Sequence, residues 1–335
     1  MSHLYQVTLL LLTITSQVHM ETKDVKCEDS TKFCENIWYC KKNSYPDKYK
    51  ACGHDGLVDR VCCDPEYPPT KSRKYCDTMQ KKIVIDEYGN RDYSSIVPYH
   101  FNILEDNSNT AALGYRNESR THWFCAGSLV NNKFVITAAA CLSKNINIVR
   151  LGDLDLNNDN DGLVPQEFGV LKTFVHPKYK APFVYNDIAI IELNDTVTFT
   201  KFVKPACINE GVRTREPFWR EVGFKDINTL TVIPLRQLNR RACNLYFDND
   251  KFANLVPFGL DPDTQLCASS VSSHQYCQMS VGGPLQNFDR NYVDGIFLIG
   301  ITAIPKPCSQ TNEPGIYTRV SHYAPWIESI IFPGH

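Results

Sequence analysis

The chain has 335 residues, 43% of them hydrophobic, with 35 basic against 37 acidic side chains and a formal charge of −2. That length supports one or two cored domains, and the near-neutral balance excludes a field able to gather nucleic acid or anionic membrane. Fourteen cysteines, an even count, point instead to disulfides and an oxidising compartment.

The first feature in the chain is "YQVTLLLLTIT", an apolar run followed by small and polar residues near Ser16 to Met20. It is shorter than the roughly 20 residues a bilayer-spanning helix needs. It reads as a signal peptide over residues 1–20, with no Lys or Arg before the run; a buried N-terminal strand is the alternative, which the cysteines disfavour. No later segment approaches a membrane span, so the mature chain is expected to be soluble and secreted.

Six cysteines follow within residues 27–63: Cys27, Cys34, Cys40, Cys52, Cys62 and Cys63. So dense a group leaves little room for an apolar core and implies a stapled module. A zinc site is the other reading, but CxxC pairs and regularly spaced histidines are missing, and adjacent Cys62 and Cys63 suit one tetrahedral ion poorly. Disulfides are preferred, and six cysteines leave about 15 connectivities open.

Residues 64–82, "DPEYPPTKSRKYCDTMQKK", combine three prolines with a cluster of bases. They read as an extended linker open to trypsin-like proteases, with cuts expected after Lys82 or within "KSRK". From Ile83 onward, short alternating apolar runs are separated by Gly, Pro, Asn and Asp, as in "YHFNIL", "GSLVNNKFVIT", "INIVRLG", "DIAIIEL" and "GIFLIGITAI". This pattern predicts an all-β barrel or sandwich. In "YAPWIESII", Tyr323, Trp326, Ile327 and Ile330 fall at helical spacing and predict one C-terminal helix.

Several further words occur in a fixed order: "CAGSLVNNKFVITAAAC", "VRLGD", "VHPKY", "NDIAIIEL", "VKPACI", "QLCAS", "VGGPL" and "PGIYTRVSHYAPWI". Through them residues 83–335 resemble a chymotrypsin-type serine protease domain. The resemblance implies two six-stranded β-barrels with the site between them and a C-terminal helix. The group at 27–63, ending in "VCC", resembles the clip domain that precedes many arthropod serine proteases. The two resemblances together imply the pairs Cys27–Cys62, Cys34–Cys52, Cys40–Cys63, Cys76–Cys207, Cys125–Cys141, Cys243–Cys267 and Cys277–Cys308. The Cys76–Cys207 bridge would keep the clip module attached after a linker cut.

Acyl transfer on this fold needs a serine nucleophile, a histidine to take its proton and a carboxylate to orient the histidine. It also needs backbone N–H groups aimed at the oxyanion. By resemblance, Ala140 stands at the histidine's position, Asp187 at the carboxylate's and Val281 at the serine's. Ser280 is one residue early and projects differently. Ser280 also replaces the aspartate that would pair with a new amine at Ile83 after cleavage beyond Lys82. Met279 replaces an oxyanion-loop glycine and restricts the backbone. Gln275, followed by Tyr276, provides no carboxylate at the pocket floor, and Ala303 replaces a serine that supports the aspartate. Pro305 replaces a glycine whose N–H would bond substrate. His122, His176 and His274 are read as structural, His176 as a surface residue. Asp187 is expected to be held charged by backbone N–H groups near Ala139 and Ala140.

"LGDLDLNNDNDGLVPQEF" lies where some relatives bind calcium, with Asp153 and Glu167 as candidate ligands, but Gln166 stands where a carboxylate is expected. A solvated acidic loop without metal is the preferred reading. Asn117 and Asn194 are glycosylation sequons. No cofactor is implied. The resemblance implies a secreted, non-catalytic protease homologue of haemolymph that regulates a cascade such as prophenoloxidase activation and melanisation. Its partners would be clip-domain proteases, prophenoloxidase or microbial surfaces. The alternatives are a decoy or negative regulator, and a weakly active hydrolase with a rearranged site.

Overall fold

The computed structural model describes residues 33–36, 51–54, 59–63, 71–79 and 103–333, apart from 119, 159–160, 210–217, 226–227, 250–251, 271–279, 289–294 and 306–312. Chain contacts divide it into two units, Met1–Pro68 with Ile83–Ser95, and Pro69–Lys82 with Ile96–His335. In the first unit, β1 (Phe33–Asn36), β2 (Ala51–His54) and β3 (Asp59–Cys63) form an antiparallel sheet in the order β1-β3-β2. Cys34 lies opposite Cys62 in that register. The signal peptide, Cys27, Cys40 and Lys82–Ile83 lie outside the described residues, and of Cys34, Cys52, Cys62 and Cys63 only the backbone is described.

The second unit is built from two barrels. β4 (Thr110–Arg116), β5 (Thr121–Leu129), β6 (Phe134–Thr137), β7 (Ile148–Leu151), β8 (Gln166–Val175) and β9 (Ala189–Leu193) close in the order β4-β5-β6-β9-β8-β7. The β4–β5 ladder slips one residue at Gly114, where a Cβ would approach the His122 carbonyl to 2.6 Å. The bulge bends the strand pair and tightens closure. β9 carries a nearly unbroken apolar run because four of its five residues are buried.

The remaining strands are β10 (Cys207–Ile208), β11 (Trp219–Lys225), β12 (Thr229–Gln237), β13 (Gln265–Ser270), β14 (Pro284–Phe288), β15 (Ile296–Ile304) and β16 (Pro314–Arg319). They run β10-β15-β14-β11-β12-β13-β16, and a further β15–β16 pairing closes six of them, leaving β10 as a parallel addition. The expected all-β, two-barrel fold is therefore present, with its terminal helix α3 (Ala324–Ile331). One apolar cluster runs from the first barrel's interior through Leu298 and Ile301 to Ile327 and Ile331 of α3.

Two helices depart from the sequence expectations. α1 (Lys71–Met79) occupies the segment expected to be extended, and α2 (Arg240–Phe247) lies where no helix was expected. The prolines of the linker precede α1 and leave it free to form. Glu328 of α3 accepts the Ser72 N–H at 2.8 Å and the Ser72 hydroxyl at 2.6 Å. A carboxylate at this end satisfies an orphan donor and complements the helix dipole. Lys71 Nζ donates to the Phe332 carbonyl, Tyr75 meets the Phe332 ring, and Cys76 is bridged to Cys207. α2 starts on Asn239, whose side chain accepts the Ala242 N–H, and buries Cys243 in a bridge to Cys267.

"KSRK" is therefore helical and docked, not extended. Limited trypsinolysis should spare the bonds after Lys71, Arg73 and Lys74. Glu328→Ala should speed cutting there about tenfold, the effect of losing roughly 1.4 kcal/mol of local stability. Mass spectrometry of the fragments reads both outcomes.

Candidate functional site

The cleft is assembled from three turns. β6 ends at Thr137 and the chain enters a short 3-10 turn, Ala139–Lys144, that carries Ala140 and is fixed by the Cys125–Cys141 bridge. Asn186, in the left-handed conformation (φ 54°), delivers Asp187 just before β9. Asn186 Oδ1 accepts the Tyr323 hydroxyl, and the Asp187 carbonyl accepts the Thr318 hydroxyl at 2.8 Å.

Asp187 is fully buried. Its Oδ1 accepts the Ala140 N–H at 2.8 Å, with the Ala139 N–H as a second donor, while Oδ2 has no partner. Burial pushes the carboxyl up to about 6, and the two N–H groups offset only part of that rise. The expected backbone donors at Ala139 and Ala140 are present and favour the charged form, but desolvation outweighs them and the net shift is upward.

Val281 stands half-buried on the other side of the cleft, packed against the first barrel's core. Its carbonyl accepts the Ala126 N–H at 2.9 Å, so Ala140, Asp187 and Val281 come together. Gly282 turns the chain with φ +83°, and a Cβ there would collide with Thr137 Oγ1 and the Ala126 carbonyl. Ser280 is buried with both hydrogen-bonding roles in use: its hydroxyl donates to the Phe224 carbonyl at 2.9 Å and accepts the Phe224 N–H at 3.3 Å. Neither Ser280 nor Val281 presents an attacking oxygen. Ala303 is buried and Pro305 ends β15 half-buried. Gln275, Tyr276, His274, Met279 and the Cys277–Cys308 pair lie outside the described residues.

Two histidines are clearly placed. His122 is exposed on β5 opposite Tyr115. His176 is half-buried, edge-on to Tyr323 at 4.9 Å and Trp326 at 5.0 Å, and burial lowers its pKa, with Lys178 and His322 adding to the effect. It packs against Tyr323 and α3 as a structural residue that stays partly exposed at the surface. Among the described residues no histidine hydrogen-bonds Asp187. Sequence reading also missed Glu221, buried within the second barrel and accepting the hydroxyls of Thr302 (3.1 Å) and Tyr317 (3.0 Å). Its only signal was the departure "EVGFKD". Burial chiefly, and then Glu221, raise Tyr317 far above the ordinary phenol range.

The acidic loop is not simply solvated. Arg150 bonds buried Asp153 at 2.9 Å and Glu167 at 2.8 Å, and Arg116 forms a fork on Glu167 at 2.6 and 2.7 Å. The bond from Arg116 is the main reason the Glu167 carboxyl titrates lower than usual. Two guanidinium groups supply the charge a cation would bring. Gln166 instead clasps both backbone groups of Thr198. No cluster of three metal-ligating side chains occurs among the described residues. Asn117 and Asn194 are exposed, each accepting a backbone N–H, from Arg120 and Gly169.

The family described as Trypsin matches residues 105–327, most of the chain. The chain belongs to the trypsin family. Relatives within or overlapping that family include "Serine protease snk" of Drosophila melanogaster, 32% identical across 67% of this chain and 54% of that protein. "Phenoloxidase-activating factor 1" of Holotrichia diomphalia is 29% identical across 84% of this chain and 83% of its own length. "Phenoloxidase-activating enzyme 1" of Spodoptera litura is 29% identical across 84% and 82%. The chain thus spans about half of the first of these relatives and most of the other two. Among the described residues, no helix of this trypsin-family chain is long and apolar enough to cross a membrane.

Asp187 sets a pH dependence. A carboxyl raised on folding favours the native state while protonated, a contribution fully present below about pH 4 and lost as pH rises through about 6. Asp187→Asn should remove up to about 3 kcal/mol of the stability difference between pH 4 and pH 8, measured by urea unfolding at both. Around the acidic loop, calcium or a chelator should leave Tm unchanged. Arg150→Ala, which strands buried Asp153, should cost about 3 kcal/mol in the same unfolding assay.

Proposed function

We propose that this chain is a secreted, non-catalytic trypsin-family protein that acts by binding, as a cofactor or regulator of an extracellular protease cascade of the phenoloxidase-activating kind. The observation that carries the reading is the methyl of Ala140 and the isopropyl of Val281 flanking Asp187. Neither can shuttle a proton or attack a carbonyl. The nearest hydroxyl in sequence, Ser280, is bonded to β11 on both of its capacities. The relatives named for phenoloxidase activation support the cascade.

In this reading residues 1–20 are a signal peptide, 27–63 a clip domain and 64–82 the connection to a protease-like domain at 83–335. Cleavage after Lys82 frees Ile83. By resemblance the amine would meet no carboxylate, because Ser280 stands where relatives carry an aspartate, so the cut orders no catalytic pocket. Partners are other cascade proteases, prophenoloxidase or microbial surfaces in haemolymph.

The purified chain, cut after Lys82, should form no adduct with a serine-directed phosphonate, read by intact mass. Ala140→His with Val281→Ser should still give no trypsin-like peptide hydrolysis, because Ser280 cannot pair with the amine and Pro305 has no N–H to offer substrate. A phosphonate adduct, or substantial hydrolysis by the double variant, would refute the reading.

A further inference from the structure

α2 carries its charges against its own dipole. A helix favours anionic side chains in its first turn and cationic ones in its last. Arg240 and Arg241 take the first two positions after the Asn239 cap, and Asp248 closes the other end. The first turn holds no acid and the last no base. All three charged residues are exposed, and none of their side chains has a hydrogen bond or ion pair among the described residues. The helix gains nothing for its own folding from this order. Local rules are broken in this way where a segment serves something besides the fold.

The inner face of α2 is Cys243 and Phe247, both buried in an apolar cluster with Phe252 and Cys267. The outer face presents Arg240, Arg241, Asn244, Leu245 and Asp248, which line an open pocket of about 440 Å³. Leu245, in the middle of that strip, is 75% exposed. Asn244 is fixed from beneath, its Oδ1 accepting the Leu260 N–H at 2.9 Å. The strip thus runs cation, leucine, anion over about 12 Å, the rise from Arg240 to Asp248.

That order selects among anionic partners. A sulfated polysaccharide suits the two guanidinium groups, but it brings like charge against Asp248 and nothing apolar to Leu245. A protein segment satisfies all three places, and carboxylates take guanidinium groups in paired hydrogen bonds. We propose that the outer face of α2 docks a segment of a partner protein that carries carboxylates over Arg240 and Arg241, an aliphatic side chain on Leu245 and a cation at Asp248. Exposed ion pairs contribute little singly, so the contact is weak alone and sensitive to salt. The inference names a surface for the binding role proposed above and rests on it, while using none of the cleft residues.

The probe is the peptide acetyl-Glu-Glu-Leu-Ala-Lys-amide, which spans about 13 Å when extended. With the full chain at low salt, saturation-transfer NMR should detect its leucine methyls, saturating with a Kd of about 1 mM. The sign-exchanged peptide acetyl-Lys-Lys-Leu-Ala-Glu-amide should bind at least about tenfold more weakly. The triple variant Arg240→Glu, Arg241→Glu, Asp248→Lys should reverse this preference. It also gives α2 the charges its dipole favours, so its Tm should rise by about 2–4 °C, and lost binding is then not lost folding. Equal binding of the two peptides, or binding of neither, would overturn the proposal. So would a heparin hexasaccharide that binds more tightly than the peptide and gains further in Asp248→Lys, which would assign the face to a polysaccharide. Peptide binding together with a phosphonate adduct would keep this surface and remove the non-catalytic reading. Absence of both would do the reverse.

Discussion

The hydrogen bond from the Ala126 amide to the Val281 carbonyl fastens the first barrel to the turn that leads into β14, and the geometry of the cleft follows from it. Around this bond the Cys125–Cys141 bridge and the Thr318 hydroxyl on the Asp187 carbonyl complete a seam between the barrels. All of these contacts use backbone atoms, a disulfide or a threonine. None needs a histidine at 140 or a serine at 281. A trypsin-family scaffold can therefore keep the shape of its cleft while the side chains that would do chemistry are replaced.

Three buried carboxylates show how differently one fold accommodates negative charge. Asp153 is neutralised by a guanidinium that also serves Glu167, the arrangement in which a buried charge is best tolerated. Glu221 is held by two hydroxyls inside the second barrel. Asp187 is desolvated by burial more than the backbone N–H groups of Ala140 and Ala139 offset, and its affinity for a proton rises accordingly.

Much of the fold was legible because barrel strands alternate and their turns carry Gly, Asn and Asp; β6, β7, β9 and β15 each fall within a run picked out from the sequence. α1 was read as extended because the linker's prolines and bases dominate the local pattern, and its stabilising partner, Glu328, lies 256 residues from Ser72. α2 had an Asn cap, but its eight residues offer barely two turns of periodicity. Motif order singled out Ala140, Asp187 and Val281 as positions to compare with the family, but the direction in which Asp187 titrates could not be read there, since it depends on how burial compares with two hydrogen bonds. The acidic loop misled for a related reason: Arg116 and Arg150 reach it from other strands, a proximity that linear spacing does not show.

Gly282 and Val281 are neighbours with opposite tolerances. At 281 the backbone is engaged but the side chain lies half in the open, so its identity is a chemical choice that leaves the turn intact. At 282 the positive φ and the crowding by Thr137 and Ala126 admit no side chain at all. An exchange at the first position changes what the molecule can do, whereas one at the second changes whether the two halves of the molecule can meet.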